Sequence, residues 1–315
     1  MRQVKAGRPV EIVLPHRGPH RFGAHLSIAG GMHKALERAF ELGCDAVQVF
    51  VKNQRQWRAA ALRPDDLGRW FELLDRPGFG PVVAHAGYLI NLASPDRRLL
   101  ARSRAALVEE IKRCEMLGIP YLVIHPGSAG ASQPRLAIAR IARTLNAVFE
   151  RATTARTRVL LETTAGQGTS IGRTFGEIGE IIGLIGEPAR VGVCVDTCHV
   201  FAAGYELRQA LAYEALVAEI ERTVGRERVC CWHLNDSLAE CGSHRDRHAH
   251  IGQGRIGAAG FRNLLADARF HGVPMILETP KGTDSAGRDW DAVNLRRLRV
   301  LAAGRRAIRD GLCRT

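Results

Sequence analysis

The segment RVLLETTAGQG, residues 158–168, holds the pattern that decides the fold. RVLLE (158–162) is a short apolar run that stops on a carboxylate, and TTAGQG is loop chemistry. A run of this length reads as a strand buried on both faces. The same design recurs on both sides of it. Further strands are expected at Phe22–Leu26, Ala46–Val51, Val82–His85, Leu122–His125, Gly192–Asp196, Val229–Leu234 and Pro274–Glu278. Between them the spacing turns helical: Met32, Ala35, Leu36, Ala39 and Phe40 share one helix face, as do Leu107, Ile111 and Cys114, and Ile138, Ile141, Leu145 and Val148. Landmarks at His25, Phe50, His85, His125, Glu162, Asp196, His233 and Glu278 are 25 to 45 residues apart. A strand with its crossover helix needs roughly 30 residues. Eight such units in succession predict an α/β fold, a single-domain (β/α)8 TIM barrel. An open doubly wound sheet is the competing architecture, but no Gly-rich phosphate fingerprint follows the first strand. The expected layout is a flexible basic tail over residues 1–21, the barrel over 22–311 closed by a final basic helix at roughly 290–311, and a tail at 312–315.

Composition narrows the class. In 315 residues, 46% are hydrophobic and 24% charged, which excludes wholesale disorder. No apolar run approaches the ~18 residues of a membrane helix. Lys and Arg outnumber Asp and Glu by 45 to 32, a net charge of +13 that favours polyanionic partners, although a solvated surface explains it equally well. The eight cysteines form no CxxC pair, and most lie in apolar runs as small buried hydrophobes. That usage fits a reducing compartment, and a cytoplasmic protein is expected.

The chemistry sits where strands end. His85, His125, Glu162, Asp196, His233 and Glu278 each fall at or next to the end of an apolar run. In a barrel all those ends open onto one face. A lone histidine there is most simply a hydrogen-bonded structural residue. Six imidazoles and carboxylates in register would be mutually repulsive and poorly solvated unless a metal joins them. His199 in VDTCH (195–199), and Asp246 and His248 in DRH (246–248), lie just beyond. Nitrogen and oxygen donors without thiolate favour Zn²⁺, with Mn²⁺ or Fe²⁺ as alternatives. At about three protein ligands per catalytic ion, nine donors point to three ions. The loop KNQRQWR (52–58) mixes cations, amides and an aromatic, which suits a DNA backbone and a disturbed stack, or a solvated loop with Trp57 tucked onto the rim. The glycines of AGQG (165–168) and GQGRIG (252–257) read more simply as tight turns than as phosphate loops.

The blocks GAHLSIAGG (23–31), KNQRQW (52–57), HAGYLINLASP (85–95), HPGS (125–128), LETTAGQG (161–168), DTCHVFAAGY (196–205), HLNDS (233–237), DRHAHIGQG (246–254) and ILETP (276–280) occur in order. Together they resemble the endonuclease IV family of apurinic/apyrimidinic endonucleases over about residues 22–282. The resemblance implies a TIM barrel with a trinuclear zinc site (Mn²⁺ is the alternative ion). By motif, His85 and His125 would hold the first ion, and Glu162 would bridge it to a second completed by Asp196, His233 and Glu278. His199, Asp246 and His248 would hold the third, and Glu162 is the expected catalytic residue. Arg55 would enter the duplex near the lesion with Tyr88 beside it, and Asn53, Gln54 and Gln56 would add contacts. The implied activity is hydrolysis of the phosphodiester 5′ to abasic sites in double-stranded DNA, leaving a 3′-hydroxyl and a 5′-deoxyribose phosphate, with removal of 3′ blocking groups. A monomer with no membrane association and no obligate protein partner is expected. His25 ends the first strand outside the ligand pattern and reads as a supporting histidine. Ala86 and Gly87 depart from the family pattern, which commonly carries a polar residue there. A metal-dependent sugar isomerase or epimerase on the same barrel is the competing enzyme. The third ligand group and the Arg/Trp loop weigh against it.

Overall fold

The computed structural model describes residues 18–153 and 155–304. In chain order the elements are β1 (Arg21–His25), α1 (Met32–Glu41), β2 (Ala46–Phe50), α2 (Pro64–Leu74), β3 (Val82–His85), α3 (Arg97–Met116), β4 (Tyr121–Ile124), α4 (Pro134–Phe149), β5 (Arg158–Glu162), α5 (Phe175–Gly183) and β6 (Val191–Asp196). Then follow α6 (Thr197–Ala203), α7 (Ala210–Thr223), β7 (Val229–His233), the two-residue strands β8 (Asp236–Ser237) and β9 (His248–Ala249), α8 (Gly257–Ala266), β10 (Pro274–Leu277) and α9 (Trp290–Ala302). Strands β1 to β7 and β10 are parallel neighbours, and β10 pairs back onto β1, so the barrel closes. The expected TIM barrel is present.

Period-two geometry explains how the barrel is filled. Successive strand residues face opposite sides. Ala46, Val83, Val123, Leu160, Cys194, Cys231 and Ile276 form one buried apolar layer inside the barrel. Two residues further along each strand line stand Gln48, His85, His125, Glu162, Asp196, His233 and Glu278. His25 occupies the same level, two residues beyond Gly23. The layer above the apolar plug is therefore polar all the way round. Gly23 is required by the close approach of β1 to β2, because a Cβ there would lie 2.2 Å from the Ala46 carbonyl oxygen. The other strand face packs against the helices in a second core that includes Phe22, Trp70, Ile111, Leu145, Phe175, Phe201 and Leu298.

The strand ends fall within one residue of expectation, and the boundary of the N-terminal tail moves with β1. Arg21 already belongs to β1, and His20 is buried, stacked on Phe22, with its Nε2 2.9 Å from the Leu265 carbonyl oxygen. The basic tail therefore ends before residue 20, because β1 needs an anchored lead-in against α8. Helix α9 stops at Ala302, short of the expected reach to about 311, and Gly304 follows in a left-handed turn; residues 1–17 and 305–315, with the 312–315 tail, lie outside the described residues. The β8–β9 pair was not foreseen either, since two-residue strands carry no periodic signal.

Candidate metal centre

All nine expected donors stand at the barrel mouth. Glu162, at the end of β5, is fully buried in their middle. Its Oε2 faces His85 Nε2 at 3.1 Å and His125 Nε2 at 3.3 Å. Its Oε1 faces His233 Nδ1 at 3.0 Å and His199 Nδ1 at 3.4 Å. Glu278 Oε2 lies 3.2 Å from the same His233 Nδ1. Asp246 stands between His199 Nε2, at 3.2 Å, and His248 Nε2, at 3.3 Å. Asp196 uses Oδ1 to accept from the backbone N–H of His199, capping α6, and turns Oδ2 toward His248 and His233.

The histidines are oriented by their other nitrogens. His85 Nδ1 donates to the Ala86 carbonyl at 2.8 Å, and His199 Nδ1 to the Thr163 carbonyl at 2.8 Å. His248 Nδ1 donates to the Glu278 carbonyl at 3.1 Å, and His233 Nε2 to the side-chain oxygen of Gln48 at 2.8 Å. A carbonyl oxygen only accepts, so each of these bonds fixes the tautomer. The remaining ring nitrogen of each histidine points its lone pair at a carboxylate oxygen. Two lone pairs about 3 Å apart repel unless a cation, a proton or a metal, lies between them. His248 Nε2 is buried and has no hydrogen-bond partner.

The electrostatics agree. Burial alone would raise the Glu162 carboxyl, yet His125, His233 and His199 hold it well below the usual carboxylate range. Burial also opposes charge on Glu278, which His233, His25 and His85 nevertheless pull well below its ordinary value. His199 rises well above the usual imidazole value against its burial, because Asp196, Asp246 and Glu162 surround it.

Three donor groups, each with ligand atoms within 4.8 Å of one another, emerge from this packing: His85–His125–Glu162, Glu162–Asp196–His233–Glu278 and Asp196–His199–His248. The first two match the expected grouping. In the third, Asp196 joins the histidines, while Asp246 meets them from the solvent side. Cys198 lies within 4.8 Å of donors on Asp246 and His248, yet burial pushes its thiol up to about 12. A buried neutral thiol is the reading that fits.

Sequence reasoning missed Gln48 and Asn235. Gln48 Oε1 holds His233, and its Nε2 donates to Glu278 Oε1 at 2.6 Å. His25 Nδ1 reaches the same Glu278 oxygen at 2.9 Å. Asn235 donates to Asp196 Oδ2 at 2.6 Å and accepts from the Glu278 backbone N–H at 2.9 Å. The available signal was parity, since a polar residue at the inward position of AVQVF (46–50) has to be satisfied inside the barrel.

The expected DNA-contact residues gather on the rim. Arg55, Asn53 and Gln56 are exposed, Gln54 is half-buried, and Tyr88 is 65% exposed with its ring packed edge-on against Phe50. Asn53 Oδ1 accepts from the Arg55 backbone N–H at 2.9 Å and so shapes the loop itself. Trp57 is tucked under Arg102, whose guanidinium lies 4.3 Å from its ring centroid. A cavity of about 450 Å³ opens between Gln54, Tyr88, Phe50, His248, Glu278 and Lys281. The GQGRIG segment is a turn: Asp236 takes up the backbone N–H groups of Ile256 and Gly257, leaving them no phosphate to bind.

Comparison with known proteins fits this geometry. The Xylose isomerase-like TIM barrel family model matches residues 36–302. A protein named probable endonuclease 4 from Chloroflexus aurantiacus is 47% identical over 284 residues, covering 90% of this chain and 99% of that one. The chain belongs to the endonuclease IV family. A probable endonuclease 4 of Geobacter sulfurreducens is 44% identical over 283 residues, covering 90% and 95% of the two chains. The crystal structure of endonuclease IV from Thermus thermophilus superposes with a TM-score of 0.79 at 37% identity, covering 90% of this chain and 99% of that one. A D-tagatose 3-epimerase-like protein superposes at 0.68 with 19% identity, which extends the barrel, and nothing more, to sugar epimerases. No described helix is long and apolar enough to cross a membrane.

Proposed function

We propose that this endonuclease IV family member hydrolyses the phosphodiester 5′ to abasic sites in duplex DNA, leaving a 3′-hydroxyl and a 5′-deoxyribose phosphate, and also removes 3′ blocking groups. The observation that carries the reading is the tautomer pattern. Four histidines each pin one nitrogen on a fixed acceptor and aim the other at Glu162, Asp196, Asp246 or Glu278. Such a cage fits divalent cations, and its all-nitrogen-and-oxygen donor set favours Zn²⁺, with Mn²⁺ as the alternative. Nine donors at about three per ion favour three ions, held by His85, His125 and Glu162, by Glu162, Asp196, His233 and Glu278, and by His199, His248 and Asp246. Bound there, such ions supply Lewis-acid activation of water and neutralise charge on the phosphate and the leaving oxygen.

The chain supplies the rest. Glu162 spans two donor groups and orients both. Gln54 and Tyr88 line the cavity beside the cluster, where a displaced sugar-phosphate has room, and Arg55 follows Gln54 on the exposed loop. An abasic nucleotide has no base to unstack, so swinging it out of the helix costs less than for an intact one. Selectivity then needs no base-edge reading. The deciding experiment is incision of an oligonucleotide duplex carrying one abasic site, with and without chelator, alongside metal analysis. Chelator-sensitive cleavage on the 5′ side with close to three ions per chain is expected. Sugar isomerisation with a single ion would overturn the proposal.

A further inference from the structure

One layer beneath the carboxylates, the barrel holds sulfur. Cys194 on β6 and Cys231 on β7 are cross-strand partners in the sheet register, both fully buried and both facing inward. Their Sγ atoms and a ring nitrogen of His233 lie within 4.8 Å of one another. Around them stand the apolar side chains of Leu160, Ile276, Ala46, Val83 and Val123, and Cys231 Sγ reaches the Trp232 carbonyl oxygen at 3.7 Å.

We propose that Cys194, Cys231 and His233 form a second cation site, competing with the upper cluster for His233, that takes a sulfur-seeking divalent cation, of which Cd²⁺ is the type. Two thiols and an imidazole are the donor set that soft or borderline d¹⁰ ions select, whereas the layer above offers oxygen and nitrogen alone. Charge balance selects the dication. An M²⁺ ion forms two M–S bonds as two S–H bonds break and two protons leave to water, and the resulting M(SR)₂ unit is neutral. A neutral unit tolerates an apolar layer; a monovalent ion would leave a net anion directly beneath Glu162, Asp196 and Glu278. His233 belongs to both layers, so filling the sulfur site draws its imidazole away from Glu162 and Glu278. Such an ion would act as an antagonist of the upper cluster. The site does not depend on the nuclease reading.

The test uses the full-length protein, stripped by chelator and titrated with Cd²⁺ alone, with the ultraviolet sulfur-to-cadmium charge-transfer band as the readout. Oxygen and nitrogen sites are silent in that band. It is expected to level off at the absorbance of one two-thiolate site while further Cd²⁺ fills the silent oxygen and nitrogen donors above, to disappear in Cys194→Val and in Cys231→Val, and to persist in Cys198→Ala. Valine matches the neighbours Val83 and Val123 in the layer. Cadmium NMR of the unmutated chain is expected to show a two-sulfur resonance, which decides the matter even if a variant misfolds. Absence of the band in the unmutated chain, its survival in the double variant, its loss in Cys198→Ala, or an NMR signal from oxygen and nitrogen ligands alone would each overturn the proposal.

Discussion

A single amide decides how His233 presents itself. With Gln48 Oε1 accepting from Nε2, the imidazole leaves Nδ1 as its only lone pair, and that nitrogen faces Glu162 and Glu278. Gln48→Leu keeps the volume and removes the acceptor, so the ring is free to take the other tautomer. Losses of this kind weaken metal binding by about 10–100-fold. Competition titration against a chelator should show that drop with the circular dichroism spectrum unchanged; undiminished affinity would mean that the amide does not set the tautomer. Glu162→Gln addresses the centre itself. It removes the charge that both donor groups share, and incision should fall to background while the folded protein still binds abasic duplex. Near-normal turnover would refute the bridging role. Six donors were legible in sequence because each ends an apolar run, and His199, Asp246 and His248 through the VDTCH and DRH motifs. Gln48 was not, because its partner Glu278 is 230 residues away and only the closed barrel brings them to 2.6 Å.

Among the elements, α3 splints the rim loop. Arg102, Glu109 and Arg113 are spaced 7 and 4 residues apart and share one helix face. Arg113 donates to the carbonyls of Val51 and Ala60, Glu109 accepts from the Ala59 N–H, and Arg102 covers Trp57. Beside them the buried pair Lys52–Glu110, at 3.2 Å, ties two loops together. Lys52 Nζ donates to the Gln56 carbonyl, and Glu110 accepts from the Gly87 N–H. The segments bearing Arg55 and Tyr88 are thus fixed relative to each other before any ligand arrives. Removing one member of a buried pair costs about 3–5 kcal/mol, since the other charge is stranded. Glu110→Gln should lose that much in denaturant unfolding and bind abasic duplex more weakly at unchanged metal content. Arg55→Ala should also weaken abasic binding, without touching stability or metal loading; equal affinity for the variant across a salt series would remove Arg55 from the interface. The apolar stripe of α3 was readable from Leu107, Ile111 and Cys114. Its polar face was not, because periodicity shows which side is buried and never which loop the other side meets.

For the whole molecule, the net charge of +13 and the metal cage make separable predictions. If the protein neutralises about six phosphates, affinity for duplex should fall roughly 1,000-fold between roughly 50 and 200 mM salt. A flat salt profile would relegate the basic surface to solubility. Metal stripping acts elsewhere. Ions that bind only the folded state stabilise it by about 4 kcal/mol when present at roughly a thousand times their dissociation constant. Chelated protein should therefore melt at lower temperature and recover on adding Zn²⁺. An unchanged melt would argue that the cluster holds no ion under those conditions. The eightfold count and the closure were legible from strand spacing. The tail boundary was not, since the contact that anchors His20, to the Leu265 carbonyl oxygen 245 residues away, is tertiary.

The seam of the barrel carries a last consequence. Because β10 zips onto β1, His25 and Glu278 meet across the join between the oldest and the youngest strand of the sheet. A growing polypeptide emerging from the ribosome therefore cannot assemble the full cage until β10 and Glu278 have been made. The fold works as an interlock, in which the donor cage stays incomplete until the last strand of the barrel has been made.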